Sequence, residues 1–105
     1  MAQFDVYDNP NVAQRAVFPF VVQLQHDFFD ALPTRWMLPL QRARIPANTF
    51  PRRLTACVMV DGETLFMAAH LSAPLLTKAL RKPVASLLNQ RSVLQDAIDA
   101  LQSGV

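Results

Sequence analysis

The dipeptide Asp61-Gly62 is the feature that most constrains how this chain of 105 residues can fold. It separates two largely apolar stretches, residues 54–60 and 63–69, that are typical of strands. Aspartate and glycine tolerate the positive φ angles of a two-residue type I′ turn, whose twist matches that of the flanking strands. The sequence therefore predicts a β-hairpin, with the even-numbered residues of its first strand sharing one face.

Four further stretches predict strands, at residues 3–8, 17–25, 35–40 and 71–77. In the first, Phe4 and Val6 share one face, so Tyr7 is expected on the opposite face of a half-buried strand. Proline cannot donate a hydrogen bond to a β-ladder. Pro19 is therefore expected at a strand start or edge, and Pro39 at an interrupted or edge position.

Residues 86–105 predict a terminal amphipathic helix, since apolar residues recur at helical spacing. The apolar stripe comprises Leu87, Leu94, Ile98 and Leu101, widened by Leu88 and Ala97. The opposite face carries Asn89, Gln95, Asp99 and Gln102. Pro83 lies just upstream, and Gly104 is placed as a C-cap. Such a helix either only closes the core or also presents its free end to a partner, and periodicity leaves both alternatives open.

Strands followed by one helix, without alternation, predict a single α+β domain over residues 1–105 with a small, strongly bent, largely antiparallel sheet. The only cysteine, Cys57, excludes an internal disulfide and is expected to be a small core or interface residue. The net charge of +2 is too small to indicate nucleic-acid binding by itself. Without a signal-peptide pattern or a bilayer-spanning apolar run, we expect a soluble cytoplasmic protein with no membrane partner.

The inventory for catalysis is thin. His26 and His70 are the only histidines and lie far apart in sequence, and two glycines leave little for a phosphate-binding loop. Asp96 and Asp99 are spaced i,i+3, but two carboxylates on one helix face are too few ligands for a hard cation. The sequence therefore predicts a binding protein that is not an enzyme and holds no cofactor or metal.

Two stretches are candidate contact regions. Phe28 and Phe29 are adjacent in a predicted loop over residues 26–34, where neighbouring side chains on extended backbone point apart. Either one anchors the loop while the other meets a partner, or both pack under the sheet. Residues 41–53 carry four arginines and no acid, which is typical of a solvated loop or of a patch for an acidic partner.

Taken in order, four pieces of the chain resemble the CcdB family of toxins from toxin–antitoxin modules. They are QFDVY at residues 3–7, LQHD at 24–27, RWMLPL at 35–40 and the ending AID…GV within 97–105. None is specific alone, but their order and spacing extend the resemblance over essentially the whole chain.

The resemblance implies a CcdB-type, SH3-like barrel that forms a homodimer, with the two C-terminal helices side by side near the two-fold axis. Family members bind the dimerisation domain of the DNA gyrase A subunit and trap the enzyme with cleaved DNA. A CcdA-type antitoxin neutralises the toxin with a disordered tail that folds on binding. Toxin and antitoxin together repress their own operon, and the DNA contacts come from the antitoxin.

Carried over by position, the gyrase-binding residues would be Phe28, Phe29, Asp99, Ser103, Gly104 and Val105. The chain departs from the family pattern at three places. Ser103 replaces a tryptophan, the aromatic pair replaces isoleucines, and Arg91 replaces an acid. Two alternatives therefore accompany gyrase poisoning: an antitoxin-binding co-repressor that has weakened or lost toxicity, and a ribonuclease on a similar barrel, for which His70 and the arginines of 42–53 are the only candidates.

Overall fold

The computed structural model describes residues 2–24, 32–42 and 57–103, with only the backbone for residues 69 and 100–103. These residues form seven strands and one α-helix. The strands are β1 Asp5–Asp8, β2 Phe20–Gln23, β3 Thr34–Gln41, β4 Cys57–Val60, β5 Glu63–Met67, β6 Ala73–Leu76 and β7 Ala85–Ser86. The helix α1 is Arg91–Ser103, and short 3₁₀ turns lie at Val12–Gln14, Ala69–Leu71, Thr77–Ala79 and Leu88–Gln90.

The strands form one antiparallel sheet in the order β4-β5-β3-β2-β1-β7. β6 adds to β3 on the edge that β3 also offers to β5. The sheet bends into a nearly closed barrel, and α1 follows it at the C-terminal end. The predicted α+β class and bent sheet are confirmed, with the two-residue β7 as a strand that no sequence pattern indicated.

The predicted type I′ hairpin is confirmed. Asp61 and Gly62 have φ angles of 50° and 80°, and Val60 pairs with Glu63 across the turn. The described part of the first strand starts at Cys57, so residues 54–56 of the prediction lie outside the described residues. Odd-numbered residues of β4 face outward, so Cys57 is exposed and its interpretation as a core residue is wrong.

The main core lies between α1 and the concave face of the sheet. Its buried members are Phe4, Val6, Val22, Leu24, Leu38, Leu40, Val58, Val60, Leu65, Met67, Leu87, Leu94, Ala97 and Ile98. Apolar side chains at helical spacing on α1 thus meet alternate residues of the strands, as the two periodicities require.

The helix begins five residues later than the sequence pattern predicts. Ala85 and Ser86 pair with β1, and the Leu87 N–H donates to the Phe4 carbonyl at 2.8 Å, so this stretch continues the sheet. Leu87 is therefore buried from an extended segment, while Leu88 turns outward and is 53% exposed. The prediction that Leu88 widens the helical stripe is wrong.

The opposite face of the sheet carries a second, smaller cluster. Tyr7, Val21 and Met37 are buried there, and Leu75 and Leu80 pack against them. Tyr7 is fully buried, so the prediction of a half-buried first strand is wrong.

Pro39 lies inside the sheet, so the edge position predicted for it is wrong, but the predicted interruption is present. On one side of β3, residues 34–37 pair with β6 and residues 40–41 pair with β5. The Pro39 carbonyl accepts from the Ala68 N–H at 3.0 Å in the gap between these two ladders. The nitrogen of a strand residue faces the same side as its carbonyl, so the missing N–H falls where the ladder is interrupted.

Candidate functional site

Helix α1 turns one face into the core and the other outward. Leu94, Ala97 and Ile98 are buried against the sheet, which fixes the orientation of the helix. The outward face carries Arg91, Ser92, Gln95, Asp96 and Asp99, all exposed. The helix therefore closes the core and also leaves a polar face, on which the predicted contact residue Asp99 lies.

The carboxylate of Asp99 is held on the helix surface by Gln95. The Gln95 Nε2 donates to Asp99 Oδ1 at 3.1 Å, an i,i+4 contact between neighbours on one face. Asp99 lies one turn before Ser103, the last residue of α1. The last four carbonyl groups of a helix have no intrahelical partner and give its C-terminus partial negative charge. This end of α1 therefore combines a positioned carboxylate with a negative helix terminus.

A cavity of about 210 Å³ lies beside this face, between α1 and the sheet. It is lined by Gln3, Phe4, Leu24, Trp36, Leu94, Gln95 and Ile98. The Gln3 Nε2 donates to the Leu24 carbonyl at 3.0 Å, and the Leu24 N–H donates to the Trp36 carbonyl at 2.9 Å. These two contacts fix the backbone of Leu24 in the cavity wall.

Phe4 occupies this wall in an unusual backbone conformation. Its φ angle is 69°, in the left-handed region that bulky residues rarely adopt, although its side chain is buried in the core. Its N–H donates to the backbone carbonyl of Gln23 at 2.7 Å, and its carbonyl accepts from the Leu87 N–H at 2.8 Å. Such a conformation costs about 1–3 kcal/mol and persists because the surrounding contacts hold it.

The structure describes part of the predicted gyrase-binding set. Asp99 is on the exposed face of α1, and the backbone of Ser103 ends the helix. Phe28, Phe29, Gly104 and Val105 lie outside the described residues. Leu24, the last described residue before the segment with the two phenylalanines, shares a cavity wall with Gln95, which contacts Asp99.

Sequence reasoning missed four polar or aromatic residues of this cavity as parts of a site: Gln3, Phe4, Trp36 and Gln95. Gln95 had a usable signal, because it precedes Asp99 by four residues on the predicted polar face. Gln3 lies in the turn before β1 and Trp36 lies in β3, and only the sheet topology brings them to the helix.

A second cavity, of about 260 Å³, lies on the other face of the sheet. Its lining includes Phe18, Val21, Met37, Pro39, Leu71 and Leu75, with Asn9 and Gln14 as polar members. The buried Asn9 side chain holds the loop at its rim, since its Nδ2 donates to the Phe18 carbonyl at 2.9 Å and its Oδ1 accepts from the Asn11 N–H at 3.0 Å. This cavity is mainly apolar and is separate from the end of α1.

Among the candidates for the ribonuclease alternative, the structure describes Arg42 and His70, and these two do not lie together. Arg42 forms an ion pair at 2.9 Å with Glu63, the first residue of β5. His70 is exposed in the turn after the last residue of that strand. Residues on a strand rise about 3.4 Å each, so the two ends of β5 are roughly 14 Å apart. Residues 43–53, with the other arginines, lie outside the described part.

Among the described residues, no cluster of three or more His, Cys, Asp or Glu side chains is suited to hold a metal ion. In the same part of the chain, no helix has the length and apolar character needed to cross a bilayer.

A nearly closed antiparallel barrel followed by one C-terminal helix, with a polar helix face beside a cavity, defines a small α+β protein. The family model described as CcdB protein matches residues 3–104. The chain therefore belongs to the CcdB family and is a toxin–antitoxin toxin of the CcdB kind. A search of curated proteins found no match.

Proposed function

We propose that this protein binds the dimerisation domain of the DNA gyrase A subunit and traps the gyrase–DNA cleavage complex. The observation that carries the proposal is the position of Asp99, which is exposed one turn before the end of α1 and held by Gln95. Membership of the CcdB family supports the target. The segment with Phe28 and Phe29 follows Leu24 in the sequence, and Leu24 lies in the wall of the adjacent cavity.

The proposed mechanism is binding without catalysis. A homodimer would present two copies of the α1 terminus, and a two-fold target can make the same contacts with each copy. The carboxylate of Asp99 and the negative helix end favour a basic group on the target surface. Ser103 supplies no aromatic anchor, so in this chain Phe28 and Phe29 are proposed as the large apolar contacts.

A CcdA-type antitoxin is the second proposed partner, and it would also mediate repression of the operon by contacting DNA itself. The cavity that contains Val21 and Met37 supports an antitoxin surface separate from the tail. An apolar side chain of a segment that folds on binding would fill such a cavity. Binding to antitoxin is therefore expected to survive loss of the tail.

The decisive experiment is inducible expression in a host that carries this protein's own gyrase, with linearised DNA trapped on the enzyme as the readout. Cleavage complexes would support the proposal. Normal growth, intact DNA and soluble protein that still binds antitoxin would favour the co-repressor alternative. The variant His70→Ala should stay fully toxic, because the proposed mechanism is binding without catalysis. Loss of toxicity with an intact fold would favour the ribonuclease alternative.

Deletion of residues 103–105 tests the tail directly. We expect it to abolish gyrase trapping while folding, dimerisation and antitoxin binding persist, since the core residues of α1 end at Ile98 among the described side chains. The checks are circular dichroism, sedimentation and titration with an antitoxin peptide. Continued growth inhibition by the shortened chain would contradict the assigned site, and lost peptide binding would contradict the separate antitoxin surface.

A further inference from the structure

One side chain joins the two ends of the described sheet. β4 is the terminal strand at one end and β7 at the other, and Gln90 follows β7 by four residues. The Gln90 Oε1 accepts from the Met59 N–H, and the Gln90 Nε2 donates to the Met59 carbonyl, both at 3.0 Å. The partners are 31 residues apart in the chain, so the contact is tertiary.

These two bonds reproduce a pair of an antiparallel ladder. In such a pair, one residue exchanges both its N–H and its carbonyl with a single partner. A glutamine amide offers the same donor and acceptor as a peptide group. Val60 pairs with Glu63 beside the turn, and backbone groups alternate between the two sides of a strand. Those of Met59 therefore point away from β5, toward the open edge.

We propose that Gln90 acts as the missing strand residue that closes the barrel, and that this contact fixes where α1 begins. The turn Leu88–Gln90 leads directly into the helix at Arg91. The Gln90 N–H donates to the Leu87 carbonyl at 2.8 Å, and the Leu87 N–H itself donates a hydrogen bond to the Phe4 carbonyl. The backbone before α1 is thus tied to one end of the sheet, and the Gln90 side chain to the other.

The contact also occupies the edge of β4 that no other described strand covers. Unpaired backbone groups on an edge strand invite pairing with another chain, and proteins cover them in several ways. In this protein a side-chain amide covers the edge at Met59, whose side chain is 47% exposed. The Gln90 side chain provides this cover in the place of a further strand.

The unmodified full-length chain provides the first test. Nuclear magnetic resonance should show scalar coupling across both hydrogen bonds, from the Met59 nitrogen to the Gln90 side-chain carbonyl carbon and from the Gln90 Nε2 to the Met59 carbonyl carbon. The Gln90 side-chain amide should also exchange slowly with solvent. Absence of both couplings together with fast side-chain exchange would overturn the proposal.

Variants at Gln90 provide the second test, with hydrogen exchange as the readout. Gln90→Met removes both bonds at similar size, so the Met59 amide should exchange about tenfold faster or more. Gln90→Glu keeps an acceptor and loses the donor, so its Met59 rate should be intermediate. If the helix start is released, the Gln95 and Asp96 amides should also exchange faster. The matched control is Asn89→Met, on the exposed preceding residue, which should leave all three rates unchanged.

Each contrary result is distinct. Unchanged Met59 exchange in a folded Gln90→Met protein, or equal acceleration in Asn89→Met, would overturn the closing role. Faster exchange at Met59 with unchanged rates at Gln95 and Asp96 would overturn control of the helix start. If Gln90→Met does not fold, the Gln90→Glu rates and the wild-type couplings decide the question.

Discussion

The two faces of the bent sheet are covered by different kinds of structure. A regular helix covers the concave face, and the buried side chains there form the larger cluster among the described residues. On the opposite face, Leu75 of β6 and Leu80, which follows the short turn Thr77–Ala79, pack against Tyr7, Val21 and Met37. A cavity of about 260 Å³ adjoins Val21 and Met37. A cavity of about 210 Å³ also adjoins Leu94 and Ile98 under the helix. The two covers therefore differ in the size of the buried cluster beneath them, and both leave space.

This difference has a functional consequence under the proposed function. The outward side of α1 can serve as a rigid contact surface, because the inward side is locked by Leu94 and Ile98. The irregular face offers space that a partner segment can fill. Each face is therefore suited to a different partner, gyrase at the helix end and antitoxin at the cavity.

The largest effect should come from the face under the helix. Leu94 is fully buried, so Leu94→Ala is expected to lower the free energy of unfolding by about 2–5 kcal/mol, through lost burial and enlargement of the cavity that it lines. Urea denaturation measures the change. The control is Leu88→Ala, at a leucine that is 53% exposed, with an expected change within about 0.5 kcal/mol. Equal losses at the two leucines would contradict the assignment of the helix faces.

A smaller loss is expected on the opposite face. Met37 is only 1% exposed and, like Leu94, lines a cavity, but it belongs to the smaller buried cluster. Met37→Ala should therefore cost about 2 kcal/mol, at the lower end of the range for such truncations, because fewer contacts are lost. A loss as large as that of Leu94→Ala would remove the contrast between the two covers.

The hairpin that delivers Val58, Val60 and Leu65 to the core gives the next effect. A Cβ on Gly62 would meet nothing within 4 Å, so Gly62→Ala tests only the φ angle of 80°. We expect a loss of about 1 kcal/mol, since alanine is strained in the left-handed region. Thermal unfolding measures it. An unchanged midpoint would show that the turn changes its type to accommodate alanine.

Local signals predicted the elements that depend only on neighbouring residues. Asp61-Gly62 specified its turn through φ preferences, and the spacing of Leu94, Ala97 and Ile98 specified the buried side of α1. The alternation of the first strand likewise placed Phe4 and Val6 on one face, and both are buried in the core.

Tertiary contacts decided what the sequence could not show. Tyr7 is buried in a cluster against which Leu75 and Leu80, from a later part of the chain, pack. Leu88 is exposed because the two residues before Leu87 pair with β1 as a strand. The positive φ angle of Phe4 has no sequence signal, since only the contacts around it favour that conformation. The cavity beside α1 was missed for the same reason, because Gln3 and Trp36 meet the helix only through sheet order.

The smallest effect on stability, and a large one on activity, is expected at the outward face of α1. Asp99 is exposed and accepts a hydrogen bond from Gln95, so Asp99→Ala should change the free energy of unfolding by less than about 0.5 kcal/mol. If this face binds gyrase, the same variant should weaken binding to the gyrase A subunit about tenfold or more, which calorimetry measures. The matched control is Asp96→Ala, at the other exposed carboxylate of the helix. Equal weakening at both positions would indicate a general charge effect. Unchanged binding in Asp99→Ala would remove the outward helix face from the proposed site, and α1 would keep only its role of packing against the core.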